Sequence, residues 1–180
     1  VRLPPYELLR RCRKGIIFSG PLIAPILGRW KTVTRRLDRS WLTLEVGDLL
    51  YLRESIRRGA NEIAAGKRPA RYIADNVWVQ RLEVWRWQRD ALPAIHLPRE
   101  LSRAVLRVTE RPRLEPLSAL TELDARAEGV QPIADLSDEF GEDVYRRGFR
   151  AVWESLHTKP GERWNDDPQP VRIPFELVEE

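Results

Sequence analysis

Short runs of alternating apolar and polar residues predict strands, and longer runs with a period near 3.6 predict helices. Ile16–Phe18 reads as a strand that stops at the turn Ser19-Gly20-Pro21. Leu49–Arg53 follows a Glu45–Asp48 turn, and Ala104–Thr109 and Val171–Val178 alternate as strands should. Arg71–Ala74 and Val77–Val84 predict strands or a hairpin around Asp75-Asn76. Residues 5–13 and Leu22–Leu27 predict short helices, the second tolerating Pro21 near its start. Ser118–Glu128 is the clearest helix, with Ser118 as N-cap, Leu120, Leu123 and Ala127 on one face, and Gly129 as its stop. Tyr145–Leu156 is the second, with Phe149, Val152, Trp153 and Leu156 on one stripe. Residues 55–70, with Gly59, Gly66 and Pro69, read as a loop, and Leu92–Pro98 is punctuated by proline. The order of elements predicts an α+β fold, without repeats or low-complexity tracts.

Composition sharpens this picture. A chain of 180 residues, 42% hydrophobic and 32% charged, can bury a core. The formal charge of +4 is unevenly spread. Residues 1–113 hold 24 Lys/Arg against 11 Asp/Glu, and residues 114–180 hold 7 against 16. Such asymmetry gives one part of the molecule affinity for polyanions. Only four of the 31 cations are Lys, and Arg suits two-pronged phosphate or base contacts, although GC-rich coding produces the same bias. Seven Trp is a high count; some must be core, and stacking surfaces for bases would also use them. The single Cys12 rules out an internal disulfide and points to a cytoplasmic home. One Cys with His96 and His157 makes a Cys/His zinc site improbable, and neither metal nor cofactor is expected. No apolar run approaches the length of about 18 residues that a membrane span needs.

The densest chemistry lies at Lys31, Thr32, Thr34, Arg35 and Arg36. Hydroxyls beside cations can hold phosphate oxygens; the bland alternative is a solvated basic turn. Thr34 becomes a nucleophile if Lys31 is neutral enough to take its proton, a state that Arg29, Arg35, Arg36 and Arg39 would favour by repulsion. Glu54 reads either as the partner of a cation or as a catalytic carboxylate. His96 is an acid/base, a stacking surface, or a structural residue of a proline-rich turn. Trp85 and Trp87 share a face if extended, as a stacking pair or as a hydrophobic seam. His157 fits a helix C-terminus, and Asp166-Asp167 fits a solvated loop.

Several motifs in order resemble the ASCH domain, in its longer phage and prophage-type branch. They are Ile17-Phe18-Ser19-Gly20-Pro21, Gly28-Arg29-Trp30-Lys31-Thr32-Val33-Thr34-Arg35-Arg36, and Gly47-Asp48-Leu49-Leu50-Tyr51-Leu52-Arg53-Glu54. Tyr72-Ile73-Ala74-Asp75, Ile95-His96-Leu97-Pro98-Arg99, Ser102-Arg103 and Val108-Thr109 follow, then Phe149, Trp153-Glu154-Ser155-Leu156, Trp164, Pro168 and Phe175-Glu176. The resemblance implies a PUA-like bent β-barrel with flanking helices and a cleft that takes RNA or nucleotides. It divides the chain into an N-terminal extension, 1–15, and one ASCH/PUA-like domain, 16–180, with an inserted loop region around 55–100. Short members of the family hydrolyse N4-acetylcytidine with a Lys, a Thr and a Glu, and ribonuclease activity is reported in the family. Lys31 and Thr34 match the first two. Arg107 stands where the Glu is expected and cannot act as a base at neutral pH, so Glu54 or Glu110 would have to replace it. Asp167-Pro168-Gln169-Pro170 also departs from the Asn-Pro-Trp-Val of the long branch.

Two functions therefore stand. One is a binding module for nucleic acid or a nucleotide, RNA favoured, using Lys31, Thr32, Arg35, Arg36, Arg53, His96, Arg99 and Arg103. The other is a hydrolase using Lys31 and Thr34 with Glu54 on a nucleoside amide or a phosphodiester. Both expect Lys31, Thr34, Arg35, Glu54, His96 and Arg99 in one cleft.

Overall fold

In chain order the elements are α1 (Tyr6–Arg11), β1 (Lys14–Ile17), α2 (Gly20–Leu27), β2 (Val33–Arg36), β3 (Leu49–Arg53), β4 (Ile56–Arg58), β5 (Ala70–Tyr72), β6 (Ala91–Leu92), β7 (Val105–Val108), β8 (Arg113–Leu114), α3 (Glu122–Ala127), α4 (Val144–Leu156) and β9 (Val171–Leu177). The computed structural model describes residues 3–59, 70–82, 84–133 and 143–178. Helices and strands mix along the chain, as an α+β fold requires. The chain divides into two units: Val1–Leu27, Asp48–Arg107 and Leu177–Glu180 in the first, Gly28–Gly47 and Val108–Glu176 in the second.

In the first unit β1 runs parallel to β3, and β3 antiparallel to β7. In β3, Leu49, Leu50 and Leu52 are buried, and Tyr51 and Arg53 are half-buried. Gly15 lies opposite Tyr51. A Cβ there would come within 2.7 Å of the Tyr51 ring and would overlap the Arg53 side chain, so only glycine leaves those two groups in place. A second sheet orders β5, β4 and β6, with β4 in the middle. Its β4, and Ala70 at the start of β5, fall in the stretch read as a loop, of which 60–69 lies outside the described residues. The chain turns back at Asp75-Asn76, but the expected strand Val77–Val84 is absent among the described residues: only Trp78 bridges, to Arg71 on β5. Tyr72 N–H donates to Val77 O at 2.9 Å, and Asn76 takes φ 62°, which Asn tolerates better than most residues. Beneath this sheet Ile56, Tyr72, Val79, Leu82, Trp85, Leu92, Leu97 and Leu101 form one core cluster. Leu8, Leu9, Cys12, Leu49 and Val105 form another under α1. Burial pushes the Cys12 thiol up to about 11.

In the second unit β9 lies between β2 and β8, antiparallel to both. α3 and α4 pack around Leu117, Leu120, Ala125, Val130, Phe149 and Trp153. Gly148 admits the Gln131 carbonyl where any Cβ would collide with it. The predicted helix from Ser118 begins four residues further on, at Glu122, capped by Thr121, whose hydroxyl accepts from Asp124 N–H. Ser118 belongs instead to a 3-10 turn after Pro116, and its N–H and hydroxyl both donate to the Asp167 carboxylate. The later start turns Leu123 outward, 79% exposed, and brings Ala125 in. The stripe of α4 is also narrower than expected: Phe149 and Trp153 are buried, but Leu156 is 65% exposed. Asp166 accepts from Gly161 N–H, so neither Asp166 nor Asp167 is merely solvated. His157 caps α4, its N–H donating to Trp153 O, and burial holds its imidazole below its ordinary value.

Candidate functional site

Lys31, Thr32, Thr34, Arg35 and Arg36 belong to the second unit. Residues 33–36 form the buried strand β2, not an open turn. Lys31 is 2% exposed, and three acceptors meet its ammonium: Val33 O at 2.8 Å, Glu128 O at 2.7 Å and Glu128 Oε2 at 2.9 Å. An ammonium has three protons, and these acceptors match them in number. Two of them belong to the residue that ends α3. The last carbonyls of a helix lack partners and carry partial negative charge. Thr32 N–H takes Ala127 O at 2.9 Å, and Lys31 takes Glu128 O. The Lys31-Thr32 pair therefore caps α3, which Gly129, at φ 72°, then terminates.

Arg35 enters the same network. It donates to Glu128 Oε1 at 3.0 Å, to Asp124 Oδ2 at 3.3 Å, and to Glu115. In the sheet Arg35 stands opposite Arg172 on β9, and Arg172 stands opposite Arg113 on β8. Like charges directly opposite one another repel. Carboxylates separate them here. Asp124 accepts from Arg172 at 2.9 Å, Glu110 from Arg172 at 3.3 Å, and Glu115 from Arg113 at 3.1 Å. Lys31, Arg35, Arg113 and Arg172 thus meet Glu110, Glu115, Asp124 and Glu128, four charges against four. Burial pulls the Lys31 amine below its ordinary value, and Glu128 opposes that shift. Burial likewise lowers Arg36, which is half-buried at the end of β2. Thr34 is buried on the same strand, opposite Ile173.

Glu54, Arg53, His96, Arg99 and Arg103 belong to the first unit. Arg103 grips Glu54 with two prongs, Nε to Oε1 at 2.6 Å and Nη2 to Oε2 at 2.8 Å, and reaches Asp75 Oδ2 at 2.6 Å. Its guanidinium lies 4.2 Å from the centre of the Tyr72 ring, and Tyr72 OH donates to Leu101 O at 2.8 Å. Burial opposes the Arg103 charge, but its hydrogen bonds to Glu54 and Asp75 outweigh that and hold it above its ordinary value. Burial pushes the Glu54 carboxyl up, and Arg103 pulls it the other way. Arg53, next to Glu54 in sequence, instead donates to Ala94 O at 3.0 Å.

Arg53 and Arg99 both lie over the Tyr51 ring, at 6.0 and 5.1 Å from its centre. His96 is exposed at the end of the 3-10 turn Ala94–His96. It lines a cavity of about 600 Å³ with Arg86, Trp87, Gln88, Arg89 and Leu92. Trp85, one half of the expected stacking pair, is core, which agrees with the seam reading, whereas Trp87 is half-buried at the cavity. Arg107 is exposed on β7, opposite Leu49.

Sequence reasoning missed the carboxylate side of the Lys31 network. Glu128 carried a signal: a carboxylate at a helix C-terminus opposes the dipole and needs a cation nearby. Glu115 and Asp124 carried none, because nothing local links them to Arg35. Among the described residues no group of His, Cys, Asp and Glu is arranged to hold a metal, and no helix is long and apolar enough to cross a membrane. No family model, curated protein or solved structure matches the chain.

Proposed function

We propose that the protein binds single-stranded nucleic acid, RNA in preference, and that the first unit is its binding surface. The observation that carries this reading is where the cations stand. The first unit holds 17 Lys/Arg against 10 Asp/Glu, the second 14 against 17. In the second unit the arginines of the central strands are matched by carboxylates. In the first, Arg10, Arg11, Arg57, Arg58, Arg86 and Arg89 are exposed, and Tyr51 and Trp87 lie among arginines. Guanidinium groups beside aromatic rings suit a strand whose phosphates need cations and whose bases need faces.

The proposal keeps the ASCH resemblance and its PUA-like barrel, with which the mixed α+β architecture is compatible. It moves the contact surface away from Lys31 and Arg35, whose partners are carboxylates and helix carbonyls. Of the residues first considered for binding, Arg53, Arg99 and His96 remain as contacts. Arg103, buried and held by Glu54 and Asp75, is not among them.

The hydrolase alternative gains no specific support. The Lys31 Nζ is engaged by Val33 O and by two oxygens of Glu128, and the Glu54 carboxylate is held by Arg103. The test is fluorescence anisotropy with a labelled single-stranded RNA over a range of salt. The reading expects affinity that falls steeply as salt rises, because counterions are released on binding. Absence of binding at low salt would overturn it.

A further inference from the structure

The cavity beside His96 has features that general charge attraction does not need. Its floor is fixed. Leu92 on β6 pairs with Ile56 on β4 and is buried in the cluster that holds Trp85. Trp85 is anchored by its indole N–H, which donates to Arg89 O at 2.9 Å. Trp87 packs edge-to-face on Trp85, ring centres 4.9 Å apart at 65°, so its indole has a set orientation and is still half-exposed. A rigid aromatic face costs little entropy when a ring stacks on it.

Around that face stand groups of two kinds. Arg86 and Arg89 are exposed cations. The Arg86 guanidinium lies 5.3 Å from the Trp87 ring centre, and its ion pair with Glu100, at 3.4 Å, has side chains 60% and 48% exposed. So exposed a pair contributes little, and a phosphate can take the place of Glu100. The Gln88 carboxamide and the His96 imidazole each offer a donor and an acceptor, the complement of a base edge. The volume of about 600 Å³ falls within the range of small-molecule sites and fits one nucleotide better than a duplex.

We infer that this cavity holds one unpaired nucleotide, its base stacked on Trp87, its edge against Gln88 and His96, and its phosphate at Arg86 and Arg89. The inference rests on the nucleic-acid reading above and adds to it a specific subsite. The same chemistry is presented by a nucleotide within a single strand and by a free mononucleotide.

The test measures affinity for three probes: a uridine oligomer, the same oligomer paired with its complement, and uridine monophosphate. The proteins are the wild type, Trp87→Leu and Trp87→Phe. Leu keeps the apolar contact with Trp85 but has no stacking face, whereas Phe keeps both. Trp87→Leu is expected to weaken the single strand about tenfold without changing its salt dependence, and Trp87→Phe to restore most of the loss. The duplex is expected to be indifferent to both variants. Saturable binding of the monophosphate that Trp87→Leu abolishes would assign the site to free nucleotides. Its absence, with the oligomer effect intact, would assign the site to a strand. Single-strand binding that is steeply salt-dependent yet equal in all three proteins would overturn the subsite and leave the binding surface standing. No binding of any probe by the wild type would overturn both.

Discussion

Arg35 on β2 and Arg172 on β9 stand directly opposite one another, and both guanidiniums donate to one carboxylate, Asp124, at 3.3 and 2.9 Å. Two like charges at adjacent positions of a sheet would push the strands apart. A shared carboxylate from α3 turns that repulsion into a bridge between sheet and helix. Lys31 and Glu128 repeat the device one turn further along α3. Cations that look in sequence like an exposed basic cluster therefore tie a helix to a sheet.

Removing one partner from this network is expected to cost more than the pair itself contributes. Glu128→Gln removes the buried carboxylate that Lys31 and Arg35 share, while Arg35 keeps Glu115 and Asp124, a change worth about 3–5 kcal/mol. Urea unfolding should show the loss as a lower midpoint with an unchanged slope. Lys31→Met removes the cation and keeps an apolar stem, and is expected to cost less. A Glu128→Gln midpoint equal to the wild type would show that the network contributes nothing.

The network also fixes a pH dependence. Burial opposes the Asp124 charge, but Arg172 and Arg35 outweigh it and hold the carboxyl below its ordinary value. A carboxyl depressed in the folded state releases its proton more readily there than in the unfolded chain. Its contribution is therefore complete above the unfolded pKa, about 4, and is lost as pH falls through the folded value. Stability should rise with pH through the acid range. Asp124→Asn should be less stable at neutral pH and lose less on acidification, measured by thermal unfolding from about pH 5 down to pH 2. Parallel curves for the two proteins would contradict the assignment.

In the first unit the Glu54–Arg103 pair predicts a strong coupling. Glu54→Gln and Arg103→Met should each destabilise, and the double variant should lose clearly less than the sum. A coupling of about 1–3 kcal/mol is expected for a buried pair in contact. Additive losses would mean that the two side chains do not depend on each other.

The reading of Lys31 as a helix cap predicts no turnover of N4-acetylcytidine beyond background. General-base assistance is worth about 100- to 10,000-fold, so its presence would be plain in an acetate-release assay. Efficient release abolished by Thr34→Ala would restore the hydrolase reading and require Glu54 or Glu110 as the carboxylate.

The strands were legible where apolar residues dominate the run. Leu49–Arg53 has the predicted bounds, and Ala104–Thr109 and Val171–Val178 shorten by a residue or two to β7 and β9. β2 was not legible. Its Thr-Arg-Arg sequence looks polar, and only carboxylates distant in sequence make it a buried strand. The start of α3 was misplaced because Ser118 is a good cap in isolation, and the competitor for its hydroxyl, Asp167, lies 49 positions away. The placement of the candidate residues was not legible. The aromatic and cationic residues suggested a nucleic-acid surface, but sequence alone could not separate Arg35, matched by carboxylates, from Arg57 and Arg89, which are exposed.

The central claim is that the first unit carries the contact surface, and the salt dependence of RNA affinity tests it most directly. The comparison is between the wild type and a double variant, Arg57→Gln with Arg58→Gln, both exposed on β4. Each lost phosphate contact should lower the slope of log affinity against log salt by about 0.7 for a single strand. A clearly shallower slope in the double variant, with its fold intact by circular dichroism, is the predicted result. A steep wild-type slope that the double variant leaves unchanged would place the contact surface elsewhere and contradict the account.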